Sequence, residues 1–302
     1  MRRSLPVTCA AAFVVAVLSM SACVTSTPLL RQAASLNSRG ALLLARGDLE
    51  GAEASFELAL EYNGRYAEPH NNLGLVALRR ERYREARRHF RAAIARNRDF
   101  AEAWSNLGVA LSHADGNAPD TEATPERAAG AFREALAVNP GLVEARVNLV
   151  RALLAMGLAD EALAQSRRLV QAFDGQPLPH TLRAEAALAA GLTEEAASEA
   201  GLARSIAPQD PEVQLVSARV DMFLGATGEA RRVLRDLVHV PSVSQTARAL
   251  LAALALAEGD AEGARRELSE GGPGMERVPA ARAVLARMQP QGPGPGPVHA
   301  ER

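Results

Sequence analysis

An alanine returns along this chain at a fixed interval. Ala52, Ala86, Ala128, Ala162, Ala196, Ala230 and Ala264 stand 34 residues apart, except for one interval of 42. A period of this length marks a supersecondary unit that buries its faces only by stacking on copies of itself. Other positions keep the same phase. Gly47, Gly157, Gly191, Gly225 and Gly259 each stand five residues before an alanine of the series. The local strings GDLEGA, GLADEA, GLTEEA, GATGEA and GDAEGA predict a helix ending at Gly, a short turn, and an acidic first turn of a second helix. Phe56, Phe90, Phe132, Ser166, Ala200, Leu234 and Leu268 come four residues after the alanines. Ala59, Ala93, Ala135, Leu169, Ala203, Leu237 and Gly271 come three residues later still. Spacings of four and three place all of these on one face of the second helix. The first helix carries Gly40, Gly74, Gly108, Val150, Ala184, Ala218 and Ala252 at its eighth position.

Composition points the same way. Alanine, the best helix former, fills roughly a fifth of the 302 residues. Aromatics at 4% argue against an all-β sandwich or barrel, and 48% apolar residues argue against disorder. The 34 basic residues are all Arg, and the formal charge is −1, which offers no global attraction for nucleic acid. Two cysteines cannot build a disulfide framework.

The third copy begins Trp104-Ser105-Asn106-Leu107-Gly108 and continues, after an insertion, with Ala128-x3-Phe132-x2-Ala135 and Pro140. This resembles the tetratricopeptide repeat, with its pattern W-x2-L-G-x2-Y, A-x3-F-x2-A and P. The resemblance implies an all-α fold: a helix-turn-helix solenoid wound as a right-handed superhelix, with about seven repeats and a C-terminal capping helix. The copies are 33–66, 67–100, 101–142 with an insertion at 114–127, 143–176, 177–210, 211–244 and 245–278, with the cap at 279–288. The last four are degenerate: Arg183, Ser217 and Asp221 occupy normally apolar positions, and Ser166 and Ala200 replace the large second-helix residue. The insertion is polar, either a tolerated surface loop or a partner contact. The Pro/Gly-rich tail 289–302 is expected to be disordered.

Residues 1–22 have the pattern of an export signal: Arg2 and Arg3, then about a dozen mainly apolar residues, too few for a membrane span. They end Met20-Ser21-Ala22-Cys23, which resembles the lipobox of bacterial lipoproteins. That resemblance implies lipidation of Cys23, with 23–32 as a lipidated tether. It also implies a place in the bacterial cell envelope, as an outer-membrane lipoprotein facing the periplasm, since Val24 is not the Asp of an inner-membrane retention signal. An ordinary secretory signal cut near Ser21 or Ala22 is the alternative.

No catalytic constellation stands out. His70, His89, His113, His180, His239 and His299 are scattered without zincin spacing, and Gly271-Gly272-Pro273-Gly274 is followed by no phosphate-loop lysine. The expectation is a non-catalytic protein with no cofactor, no metal, no small-molecule substrate and no nucleic-acid partner. By resemblance, the first helices line a concave groove that captures a peptide segment. Position six is Asn72, Asn106 and Asn148, position two is Glu68, Glu102 and Glu144, and Asn71 lies alongside. A row of carboxamides can satisfy the N–H and C=O groups of an extended segment, although Asn is also common repeat consensus here. The Arg-rich stretch Arg79–Arg98 is either a patch for anionic lipid or an acidic partner, or a solvated helix face. The architecture resembles tetratricopeptide lipoproteins that assist secretin assembly in type IV pilus systems and those of Tad-type pilus loci. It implies a scaffold tethered to the membrane and binding envelope proteins. An adaptor for peptidoglycan enzymes and a self-associating structural protein are the alternatives.

Overall fold

The computed structural model describes residues 28–115 and 120–288, and within them every regular element is helical. The signal segment, Cys23 and the tail 289–302 lie outside the described residues. The chain forms two compact units, one up to Ala152 and one from Leu153. The first holds α1 (28–45), α2 (Leu49–Tyr62), α3 (Ala67–Arg79), α4 (Tyr83–Arg96), α5 (Ala101–Leu111), α6 (Pro125–Val138) and most of α7 (Val143–Ala155). The second holds α8 (Ala159–Ala172), α9 (Pro177–Ala189), α10 (Thr193–Ile206), α11 (Pro211–Phe223), α12 (Thr227–Leu237), α13 (Ser244–Ala257), α14 (Ala261–Glu270) and α15 (Pro279–Met288). A single 3-10 turn, Met275–Arg277, precedes α15. Two boundaries move from the sequence reading. The first helix already runs at 28, so 28–32 of the expected tether is helical; Pro28 suits a first helical turn and Leu29 to Gln32 are good helix formers. The insertion ends earlier as well, because Thr124 caps α6 by accepting from the Arg127 N–H and Pro125 opens the helix.

Within each unit, the helix pairs close over one small residue. In the first unit, Phe56, Phe90 and Phe132 are buried, with their rings on Gly40, Gly74 and Gly108. A Cβ on any of these glycines would lie under 3.0 Å from ring atoms. The ring therefore occupies the space a first-helix side chain would take, and the two backbones approach closely. In the second unit the small partner becomes Ala. Ala184 shares a buried cluster with Ala200, Ala218 with Leu234, and Ala252 with Leu268.

The turns inside the pairs also share one device. Gly47, Gly157, Gly191, Gly225 and Gly259 have φ between 73 and 83°. This left-handed geometry ends the first helix and is open to glycine without steric cost. Repeat two makes the same turn with Glu81 at φ 57°. A residue with a Cβ pays about 1–2 kcal/mol for that conformation.

The insertion folds back as an acidic clasp on repeat two. Arg82, at the start of α4, offers no side-chain cap. Asp115 caps the helix instead, its carboxylate accepting from the Tyr83 and Arg84 N–H groups at 2.5 and 2.8 Å. Arg87 is 1% exposed; its guanidinium donates to the Ala110 and His113 carbonyls and to Asp120 Oδ2 at 2.5 Å. Burial alone would push the Asp120 pKa up, but the hydrogen bonds from Arg87 and the Glu122 backbone, with the charges of Arg87 and Arg84, bring it below the ordinary value. Glu122 pairs with Arg91 at 3.1 Å. Arg80 meets Glu53 at 2.6 Å, and Arg96 donates to the Gly64 carbonyl. Much of the arginine run is thereby engaged within the fold.

Two outcomes follow. Glu81→Gly should raise stability by about 0.5–1 kcal/mol, the relief of left-handed strain exceeding the added freedom of the unfolded chain; a urea midpoint that does not rise would contradict it. Asp120→Asn should cost about 3 kcal/mol, because it strands a buried guanidinium, whereas Glu122→Gln at the exposed end of the clasp should cost under about 1 kcal/mol. Paired urea titrations compare the two directly.

Candidate functional site

The first helices of the first unit present the expected row. Glu68, Glu102 and Glu144 are exposed in the first turns of α3, α5 and α7. Their negative charge also suits a helix N-terminus, so local stability alone favours acid there. Asn72, Asn106 and Asn148 are half-buried one position-set deeper.

The carboxamides are used between repeats. Asn72 Nδ2 donates to Asn37 Oδ1 at 2.9 Å, and Asn106 Nδ2 donates to Asn71 Oδ1 at 2.9 Å. Each bond joins position six of one first helix to position five of the preceding one. Asn71 is consequently not part of an open lining: it is 7% exposed, and its carbonyl is taken by Asn106. The pattern stops at Asn148, since Ser105 stands where the acceptor asparagine would be. The paired Asn72 and Asn106 side chains keep their own Oδ1 and a second N–H. The row is thus acceptor-rich, flanked by three exposed carboxylates. Such a surface suits a segment that brings N–H donors and positive charge.

The second unit contains a polar network that the repeat phase only hinted at. Arg183, at a normally apolar position of α9, meets Glu195 at 2.5 Å and Glu199 at 2.8 Å on α10. Glu199 also lies 2.6 Å from His180 Nδ1, and His180 Nε2 lies 2.7 Å from the Asp174 carbonyl. Arg183 was a visible departure, but His180 and Glu199, 19 residues apart, carried no sequence signal of their meeting. Among the described residues no group of three or more His, Cys, Asp or Glu side chains can hold a metal, and no helix is long and apolar enough to cross a membrane.

His70 on α3 faces His89 on α4, ring centroids 6.0 Å apart, with its Nδ1 buried and unpartnered. Burial, then the charges of Arg96 and His89, lowers its pKa from the ordinary 6.5 to about 4. The folded state therefore refuses a proton that the unfolded chain accepts. Its contribution to stability is full above pH 6.5 and is lost as pH falls toward about 4. Urea midpoints measured from pH 7.5 to 4 should decline across that window, and His70→Gln should flatten the decline; an equally steep profile in the variant would refute the assignment.

Two tetratricopeptide-repeat family models match the chain, over residues 71–120 and 121–186. Among solved structures, it is similar to a tetratricopeptide repeat protein from Parabacteroides merdae ATCC 43184. That match has a TM-score of 0.67 and 16% identity, covering 85% of this chain and 98% of that one. It is similar to PilW, described as a widely conserved type IV pilus biogenesis factor, with a TM-score of 0.59 and 20% identity over 72% and 98% of the two chains. YrrB, described as a TPR protein with an unusual peptide-binding site, gives a TM-score of 0.50 and 24% identity over 59% and 88%. No curated protein matches the chain. The period, the glycine turns, the ring-on-glycine helix pairs and the matched models agree: residues 71–186 match tetratricopeptide repeats, and the described residues fold as an all-α tetratricopeptide-repeat array, the fold of a protein-interaction scaffold.

Proposed function

We propose that this protein is a non-catalytic scaffold, tethered through a lipidated Cys23 to the bacterial outer membrane and facing the periplasm. There it holds an extended segment of an envelope protein against the first helices of its first unit. The observation that carries the reading is the row itself: Glu68, Glu102 and Glu144 exposed at equivalent positions, backed by Asn72, Asn106 and Asn148. The spacing of successive first helices repeats along the row, so one extended chain meets the same chemistry at each step. The lipobox-like string before Cys23 supports the tether. The shared architecture of signal, lipobox and repeats supports assistance to pilus or secretin assembly, and similarity in fold to PilW accords with it.

The carboxylates are the better place to test the row. Replacing Asn106 by Ala would also orphan the buried Asn71 carbonyl, at about 1–3 kcal/mol, and so confuse binding with folding. In crosslinking capture from intact cells, the natural chain should recover a secretin subunit or another pilus component. Glu68→Gln, Glu102→Gln and Glu144→Gln combined should lose most of that capture while the chain stays fully helical and folded, with only the modest fall in melting midpoint expected from losing three first-turn charges, and Cys23→Ser should lose it by mislocalisation. Undiminished capture by the glutamine variant would sink the row as the binding surface. Recovery of cell-wall hydrolases alone would replace pilus assembly with the adaptor reading, and recovery of this chain alone would replace it with self-association.

A further inference from the structure

Ser217 and Asp221, two of the polar residues at normally apolar repeat positions, lie one turn apart on α11 and open into the same cleft of the second unit. The cleft has a volume of about 210 Å³ and is lined by Arg204 of α10, by Ser217 and Asp221, and by Glu229, Arg232 and Asp236 of α12. It uses the seventh and eleventh positions of a first helix together with two second helices. That stripe is distinct from the second and sixth positions that carry the Asn and Glu row.

The polar groups in this cleft are unevenly satisfied. Glu229 and Arg232 serve each other through two bonds, at 2.5 and 3.1 Å. Asp221, whose side chain is 16% exposed, has Arg204 at 3.9 Å, beyond hydrogen-bond distance. Burial pushes the Asp221 pKa up, the Arg204 charge offsets this only in part, and Glu229 adds to it. Asp236 adds a second carboxylate to the wall. Ser217 is 4% exposed, and its Oγ has no hydrogen-bond partner. With the Glu229–Arg232 pair set aside, two carboxylates face one half-exposed guanidinium, and a buried hydroxyl stands idle. The cleft is one cation short.

Its size sets the scale of the occupant. Small-molecule sites usually begin near 300 Å³, so this volume fits a single side chain or a small ion with its carbon stem. An ammonium is a compact charge with three donors and can serve acceptors carried on different helices, here Asp221 on α11 and Asp236 on α12; a planar guanidinium fork is better matched by one bidentate carboxylate. The chain contains no lysine in its 302 residues, so neither its own side chains nor those of a second copy supply this group. We propose that this cleft is a binding site for a primary alkylammonium group, carried by a lysine side chain of a partner protein or by a free amine, with Asp221 and Ser217 as its main acceptors.

Calorimetric titration of the full chain tests this with three probes: n-butylammonium, a blocked Gly-Lys-Gly peptide and a blocked Gly-Arg-Gly peptide. The two ammonium probes should saturate. Tighter binding of the lysine peptide assigns the site to a partner's side chain, and equal or tighter binding of butylammonium assigns it to a free amine. Asp221→Asn should weaken binding by about tenfold or more, as expected on losing a charged hydrogen bond. Ser217→Val should also weaken it while raising the melting midpoint, since valine suits the repeat position and removes the idle hydroxyl; this variant serves even if Asp221→Asn folds poorly. No saturation by either ammonium, equal binding of the arginine peptide, or affinities unchanged in Ser217→Val would overturn the proposal.

Discussion

The close approach of two helices over a residue without a side chain is the constraint on which the first unit rests. Phe56, Phe90 and Phe132 fill their pairs only because Gly40, Gly74 and Gly108 leave the room. Packing at interior density couples the two positions: a larger first-helix residue demands a smaller second-helix one. Later copies replace the glycine by Ala and the ring by a smaller partner, setting Ala184 with Ala200 and Ala252 with Leu268. What recurs in these pairs is the small first-helix residue, while the size of its partner varies. The pairing is also what keeps successive first helices in one register, so that Glu68 and Glu102 recur as equivalent points of a surface.

Polar residues enter this apolar frame mostly in company. Arg87 is buried with Asp120, and Arg183 with Glu195 and Glu199. A buried charge without such a partner is among the costliest defects a fold can carry, whereas a satisfied network locks one arrangement. Each network joins elements that the repeat alone would leave merely adjacent. The insertion is drawn onto α4, and α9 is bound to α10 by directional bonds in addition to packing.

The period and the local strings made the helix pairs and their glycine turns legible, because helix ends and one-face spacings are properties of neighbouring residues. What the sequence left unread depends on partners far along the chain. Glu81 takes the glycine geometry although nothing in its residue type announces it; only its phase does. Asn71 and Asn72 look equivalent on paper, yet one is a buried acceptor and the other a half-buried donor, since a turn of about 100° per residue separates their faces. The insertion reads as a tolerated polar loop or a partner contact, and the arginine stretch as a patch for anionic lipid or an acidic partner or as a solvated face. Their pairing across some 30 residues emerges only when the two copies stack.

In a linear array each copy touches only its neighbours, and unravelling proceeds from an end, one copy at a time. The insertion alters that order. Asp115 and Asp120 belong to the third copy but cap and neutralise a helix of the second. Removing the second copy would uncover its arginine against a loop it had balanced, and removing the third would strip the cap from α4. The two are thereby fused into one cooperative block of twice the usual size. Under tension or partial denaturation, the intermediate that parts them is disfavoured, and this stretch gives way as a single event.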